Sequence, residues 1–89
     1  MKSVTTARFR KAYDALPVQV QHLADKAYAI WEENPLHPSL HFKQIQPDPP
    51  VYSVRVSLGY RALGVREGDT MVWFWIGAHA TYDELLKAL

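Results

Sequence analysis

Apolar residues in the first part of the chain recur at the three- and four-residue spacing of amphipathic helices. One set predicts a first helix over residues 7–16, and a second set predicts a longer helix that ends near residue 33. The two sets are Phe9, Ala12, Tyr13 and Leu16, and then Val20, Leu23, Ala24, Ala27, Ile30 and Trp31. Pro17 suits the first turn of the second helix, where a missing N–H leaves no hydrogen bond unmade. Asn34 ends that helix, because a residue before proline avoids the α region.

Beyond residue 40 the apolar and polar residues alternate, which is typical of strands. The predicted strands cover residues 41–46, 52–58, 61–66 and 70–76. The last of these is apolar on both faces, which predicts a central strand covered on both sides. Regular alternation along it places Trp73 and Trp75 on one face. Phe74 and Ile76 then share the other face.

A short helix is predicted at the end of the chain. Thr81 and Glu84 fit a capping box, so this helix is expected to begin there and to run to about Leu89. The order of elements predicts an α+β fold, with two N-terminal helices packed on one face of a twisted, mostly antiparallel sheet of about four strands. The short helix follows the sheet. With 89 residues, the chain is expected to form one domain, residues 1–89.

The composition excludes several classes of protein. Hydrophobic residues make up 48% of the chain and charged residues 21%, which excludes disorder by composition. The sequence contains no cysteine, so disulfides, thiolate metal sites and cysteine nucleophiles are excluded. No apolar run approaches the ~18 residues of a membrane span. Residues 1–6 show no apolar segment of a signal peptide, so a cytoplasmic location is expected.

The net charge is only +1, but the charges are unevenly distributed. Residues 43–66 carry four cations and a single acid, which predicts a basic face; the alternative is solvated charge scattered over the surface. Arg55 and Arg61 belong to neighbouring predicted strands, and the guanidinium fork suits phosphate because it binds two oxygens at once. The alternative for each is a contact along the sheet to a carboxylate such as Asp69.

His79 and Tyr82 follow the predicted central strand, at a junction where functional side chains often lie. A neutral imidazole there can move protons at about pH 7. The alternative is that His79 caps the strand end and Tyr82 packs on the sheet. His37 and His41 are four residues apart, but the intervening Pro38 prevents the regular helix that would align them. No metal site and no cofactor are therefore expected.

Taken in order, several short segments resemble the ParE-like toxins of bacterial type II toxin–antitoxin modules, within the RelE/ParE superfamily. The segments are Asn34–Lys43, Tyr52–Val56, Gly59–Leu63, Trp73–His79 and Tyr82–Asp83. The resemblance extends from about Phe9 to Leu86. It implies two helices followed by a twisted antiparallel sheet. It also implies a protein antitoxin that binds and neutralises the toxin.

The superfamily has two modes of action. RelE-like members cut messenger RNA in the ribosomal A site by metal-free transfer to the RNA's own 2′-hydroxyl, whereas ParE-like members poison DNA gyrase and are not nucleases. For the first mode the resemblance implies a metal-independent endoribonuclease, with Arg61 stabilising phosphate charge and His79 acting as base or acid. Tyr82 would stack or donate a proton. Lys43 and Arg55 would hold backbone phosphates.

Cleavage of ribosome-bound mRNA is the leading hypothesis. Inhibition of DNA gyrase remains open, and so does a degenerate toxin that only binds its antitoxin. The set that separates these hypotheses is Arg61, His79 and Tyr82, because a nuclease needs it and an inhibitor tolerates its loss.

Overall fold

The structure, a computed structural model, describes residues 1–88, which form three α-helices and a five-stranded sheet. The strands are β1 (Lys2–Thr5), β2 (Lys43–Pro47), β3 (Pro50–Ser57), β4 (Tyr60–Glu67) and β5 (Thr70–Ala78). The helices are α1 (Ala7–Asp14), α2 (Val18–Glu33) and α3 (His79–Ala88), with one 3-10 turn at Pro38–Leu40. The predicted α+β class is confirmed, with five strands in place of about four. Leu89, the predicted end of the last helix, lies outside the described residues.

The two predicted N-terminal helices are present, and the short segment between Asp14 and Val18 joins them as a helical hairpin. The Thr6 hydroxyl accepts the Phe9 N–H at 3.1 Å and caps the first turn of α1. Pro17 immediately precedes α2, and its carbonyl accepts the N–H groups of Val20 and Gln21 at 2.9 and 3.0 Å. None of the helices within residues 1–88 is long and apolar enough to cross a membrane.

The sheet has the order β1-β5-β4-β3-β2, so β4 lies at its centre and β5 has a neighbour on each side. Every pair is antiparallel except β1 with β5. The sequence did not predict β1, because its four mostly exposed residues show no alternation of apolar and polar positions. Backbone bonds hold it, from Lys2 N–H to the Asp69 carbonyl at 2.9 Å and from Thr6 N–H to the Trp73 carbonyl at 3.0 Å.

A β-bulge interrupts the pairing of β4 with β5. The register shifts between Leu63 and Gly64, so that Phe74 is an extra residue on β5. The bulge reverses the alternation of side chains beyond it. Trp73 therefore packs under the helical hairpin, and Trp75 packs on the other side of the sheet. The prediction that the two indoles share a face is wrong.

The sheet consequently carries a hydrophobic cluster on each face. The cluster under the hairpin contains Ala24, Ala27, Trp31, Leu40, Val54, Ala62, Met71, Trp73 and Ile76. The opposite cluster contains Val51, Leu63, Trp75 and Tyr82, and the half-buried Phe74 packs against it. Phe74 and Ile76 thus lie on opposite faces, contrary to the prediction. Tyr82 belongs to α3, so this helix covers the face that the hairpin leaves open.

Gly64 tests this packing. A Cβ there would lie 2.8 Å from both the Met71 Sδ and the Trp73 ring, so we expect Gly64→Ala to lower the free energy of unfolding by about 1–3 kcal/mol through overpacking. Gly59→Ala is the matched control, because its Cβ would meet nothing within 4 Å. Urea denaturation followed by tryptophan fluorescence measures both. Equal midpoints for the two variants would contradict the close approach of β4 to Trp73.

Candidate functional site

A concave pocket of about 270 Å³ opens on the α3 side of the sheet. Its walls come from the β2–β3–β4 surface, the segment before β2 and the first two turns of α3. The lining residues are His41, Lys43, Ser53, Arg55, Arg61, His79, Tyr82, Asp83 and Leu86. All five site residues predicted from the sequence are in this set.

Strand register brings the cationic side chains of the pocket together. Lys43 pairs with Ser53 across β2 and β3, and Arg55 pairs with Arg61 across β3 and β4. Ser53 and Arg55 are two residues apart on one strand, so they project from the same face. The sheet therefore places three cations on one face of three adjacent strands, with Lys43 two positions away along the strands from the Arg55–Arg61 pair.

Arg55 and Arg61 form a like-charged pair. Charges of one sign directly opposite each other in a sheet are destabilising. Burial and the neighbouring Arg55 charge lower the pKa of Arg61 from its ordinary value. Within residues 1–88, neither guanidinium makes an ion pair with a carboxylate. An anion bound between them would remove this repulsion, so the arrangement suits a phosphate.

Arg61 is also fixed to the turn between β3 and β4. Its Nη1 donates to the carbonyls of Ser57 at 2.7 Å and Tyr60 at 2.9 Å. These bonds hold the guanidinium in the pocket. Within residues 1–88, Arg61 makes no ion pair with Asp69, the carboxylate suggested as its alternative partner. Arg55 Nη1 lies 3.5 Å from the Nε2 of His41, which sequence reasoning did not place in the site.

His79 is oriented by backbone and side chain together. Its N–H donates to the Gly59 carbonyl at 2.8 Å, in the same turn that holds Arg61. Its Nδ1 lies 3.0 Å from Asp83 Oδ2, one helical turn further on, and 43% of the side chain is exposed. A neutral His79 that donates Nδ1–H to Asp83 keeps Nε2 as a proton acceptor.

Asp83 was missed because the start of α3 was placed too late. The predicted capping box makes Thr81 the N-cap, but β5 passes directly into α3 at His79 and Thr81 lies inside the helix. This prediction is wrong, because the bond from His79 N–H to Gly59 already satisfies the first backbone donor. With the helix beginning at His79, the four-residue spacing to Asp83 would have indicated the pair.

Tyr82 lies at the floor of the pocket and is only 5% exposed. Its hydroxyl donates to the Ser53 Oγ at 3.1 Å, and its ring meets the His79 ring edge-on with centroids 5.6 Å apart. The burial matches the alternative that Tyr82 packs on the sheet. The ring thereby supports His79 from below, and its catalytic role stays a prediction.

His37, the other histidine beside Pro38, has a local role. His37 Nδ1 accepts the Ser39 N–H at 3.2 Å and caps the 3-10 turn. In the described part of the chain, no three histidine, aspartate or glutamate side chains gather as a metal-binding group.

The comparison with protein families matches residues 18–84, well over half of the chain, to the family described as "ParE-like toxin domain". The chain therefore belongs to the ParE-like toxin family, and it is the toxin of a toxin–antitoxin system. A comparison with curated proteins found no match.

Solved structures of toxins share the fold. The RelB–RelE antitoxin–toxin complex from Methanococcus jannaschii aligns with a TM-score of 0.72 and 17% identity, over 92% of this chain and 96% of that chain. The YoeB/ParE toxin from Agrobacterium tumefaciens aligns with a TM-score of 0.68 and 14% identity, over 89% and 99%. The isolated RelE toxin from E. coli gives 0.63 and 17%, over 99% and 98%. At these identities the similarity establishes the fold alone.

The contact between Tyr82 and Ser53 leads to a prediction about stability. Tyr82→Phe should lower the free energy of unfolding by about 1–3 kcal/mol, because the buried Ser53 hydroxyl loses its partner. Ser53→Ala should behave similarly, and the double variant should lose less than the sum of the two. Denaturant titrations measure all three.

Tyr60→Phe is the control, since the Tyr60 hydroxyl makes no hydrogen bond within residues 1–88. Strictly additive losses for Tyr82 and Ser53 would exclude the bond between them.

Proposed function

We propose that this toxin cleaves mRNA on the ribosome by a metal-independent reaction. The supporting observation is that Arg55, Arg61, Lys43 and the His79–Asp83 pair all face one pocket. The combination of clustered cations with an oriented imidazole is what a phosphodiester needs for cleavage without a metal. A surface that only binds another protein does not require clustered cations beside an oriented imidazole.

The proposed reaction uses a nucleophile within the RNA. The 2′-oxygen attacks the adjacent phosphorus after its proton is removed, and the bond from phosphorus to the 5′-oxygen breaks. The leaving oxygen takes up a proton, so the products are a 2′,3′-cyclic phosphate and a 5′-hydroxyl end. The protein must align the reacting atoms, accept and donate a proton, and stabilise the charge of the phosphorane.

The tasks other than proton donation have candidate side chains in the pocket, and the leaving oxygen takes its proton from water. Nε2 of His79 takes the proton, because Nδ1 is directed to Asp83. Arg61 and Arg55, opposite each other in the sheet, stabilise the negative charge on phosphorus. Lys43 holds a neighbouring backbone phosphate. Tyr82 keeps the His79 ring in position.

The proposed protein partner is an antitoxin. The M. jannaschii structure with a similar fold is itself a complex of a toxin with its antitoxin. A cognate antitoxin would bind this chain and neutralise it, as the family assignment implies.

Inhibition of DNA gyrase without catalysis is the second candidate. Two observations favour it. The net charge of +1 is low for a protein that must dock on ribosomal RNA, because phosphate contacts by Lys and Arg dominate such binding. The hydroxyl of Tyr82 is also buried against Ser53, away from a proton-donating position.

Induced expression tests the toxin function itself. Growth should stop when this chain is expressed alone, and co-expression of a neighbouring antitoxin frame should restore it. The measurement is colony formation with and without inducer, with the amount of soluble protein checked in parallel. Normal growth at a verified level of folded protein would contradict an active toxin.

Substitutions in the pocket separate the two candidate mechanisms. We expect His79→Ala to reduce mRNA cleavage in a translation extract by about 10²–10⁴-fold, as the loss of a general base does. Arg61→Ala should reduce it by about 10²–10³-fold. The double variant should lose much less than the product of the two, because the groups act on one transition state.

The matched controls are Arg66→Ala and His22→Ala. Arg66 lies at the far end of β4, where its Nε donates to the Gly68 carbonyl, and His22 is exposed on α2. Both variants should keep full cleavage activity. Folded His79→Ala and Arg61→Ala proteins that still stop growth and inhibit supercoiling would establish the gyrase alternative.

A further inference from the structure

A second concave pocket, the edge pocket, lies where α2 and the 3-10 turn meet the end of β3. Its volume is about 480 Å³. Within residues 1–88, β2 pairs with β3 only as far as Ser53, so residues 54–57 have no strand neighbour on that side and the sheet is open there. Arg55 belongs to this open stretch and lines both the edge pocket and the pocket that contains His79. The two pockets therefore meet at Arg55.

Positively charged and hydrogen-bonding side chains line the edge pocket, and no acid does. They are Lys26, His37 and Arg55, together with the serines at positions 39 and 57. Among residues 1–88, neither Lys26 nor Arg55 makes an ion pair with a carboxylate. On α2, the positions three and four residues from Lys26 also carry no acid that would pair with it. The edge pocket thus has positive charge and no counter-ion of its own, which favours an anionic ligand.

The contacts of His37 leave one of its ring nitrogens as a hydrogen-bond donor. Nδ1 accepts the Ser39 N–H at 3.2 Å and lies 2.8 Å from the Ser39 Oγ. A neutral imidazole that accepts a hydrogen bond at Nδ1 carries its proton on Nε2. His37 therefore offers an Nε2–H, Lys26 an ammonium and Arg55 a guanidinium. A set made of donors alone suits a group with several acceptor oxygens and a negative charge, such as a phosphate.

The floor of the edge pocket is apolar. It is formed by Leu23, Ile30, Leu40 and Val56. Aliphatic side chains have no donor or acceptor that could distinguish the hydrogen-bonding edge of one base from that of another. A nucleotide in this pocket would therefore be held by its phosphate, and its base would rest on the floor whatever its identity.

We propose that the edge pocket binds the RNA strand beside the cleavage site and holds one of its backbone phosphates. The proposal rests on the proposed nuclease function, because the strand is the one whose scissile phosphate lies between Arg55 and Arg61. From there the strand passes Arg55 and enters the edge pocket, where Lys26 and the Nε2–H of His37 bind the phosphate. This contact positions the strand and adds affinity without selecting a sequence.

Binding of RNA that cannot be cleaved tests the edge pocket separately from the chemistry. The probe is a short, fluorescein-labelled single strand of 2′-O-methyl ribonucleotides, in which the attacking 2′-oxygen is blocked. Fluorescence anisotropy at several salt concentrations gives the dissociation constant and its dependence on salt. Lys26→Ala should weaken binding about 3–10-fold, as the loss of one hydrogen bond does. It should also reduce the slope of log affinity against log salt by about 0.7, the value for one phosphate contact with a single strand. Probes of two different sequences should lose affinity by the same factor.

Matched variants locate the contact. Lys11→Ala removes an exposed cation on α1 that lines neither pocket, and it should leave the affinity and the salt slope unchanged. Lys26→Arg keeps the charge and should keep the slope. His37→Asn retains an acceptor for the Ser39 N–H but removes the Nε2–H donor. It should weaken binding without changing the slope, because a neutral imidazole contributes no charge.

The outcomes separate this proposal from the function on which it rests. Binding that Arg61→Ala weakens, but Lys26→Ala and His37→Asn leave unchanged, would overturn the edge pocket and leave the proposed nuclease intact. An equal loss in Lys11→Ala would also overturn it, since general surface charge would then attract the RNA. So would the absence of binding to the folded wild-type protein at low salt. Binding that depends on Lys26, in a protein that cleaves no mRNA in the translation extract, would support the edge pocket and contradict only the nuclease function.

Discussion

The extra residue in β5 determines how both faces of this protein are built. Because Phe74 has no partner of its own on β4, the side chains on either side of it project in opposite senses. Trp73 then anchors the helical hairpin, in edge-to-face contact with Trp31. Trp75 anchors α3 through the cluster that contains Tyr82. A regular strand would send both indoles to one face, so one of the two hydrophobic clusters would lose its tryptophan.

The candidate site depends on a second constraint, the turn between β3 and β4. Carbonyl groups of this turn accept hydrogen bonds from the Arg61 guanidinium and from the His79 backbone N–H. The cation and the imidazole are thus tied to the same short segment, although they come from different elements. Such anchoring fixes the relative position of two groups that would act on one phosphate. Holding reacting groups in a fixed geometry lowers the barrier to reaction, because less entropy is lost on reaching the transition state.

The sequence could predict what depends on local pattern. Helical spacing and alternation located α1, α2 and four of the strands, and the resemblance to a toxin family pointed to all five of the predicted residues that line the pocket. It could not predict β1, whose four residues are held by pairing with a distant strand rather than by a pattern of their own. The bulge at Phe74 and the start of α3 were missed for a related reason, since both arise from contacts across the sheet. Asp83 and Ser53 entered the site only once those contacts were known.

Net charge is a poor guide to a site of this kind. The chain totals only +1, yet register places Lys43, Arg55 and Arg61 on adjacent strands around one pocket, with Asp83 directed to His79. At the short distances of a pocket, partial burial weakens solvent screening, so the local arrangement outweighs the total. Carboxylates elsewhere on the surface offset the positive charges in the net charge, but the solvent between them and the pocket screens their effect on it. A ligand of one or a few phosphates would sense the local field, whereas docking over a large RNA surface would sense the whole protein. The local charge of the pocket therefore bears on which reaction the pocket can support, whereas the net charge of the whole protein bears on which large partner it can bind.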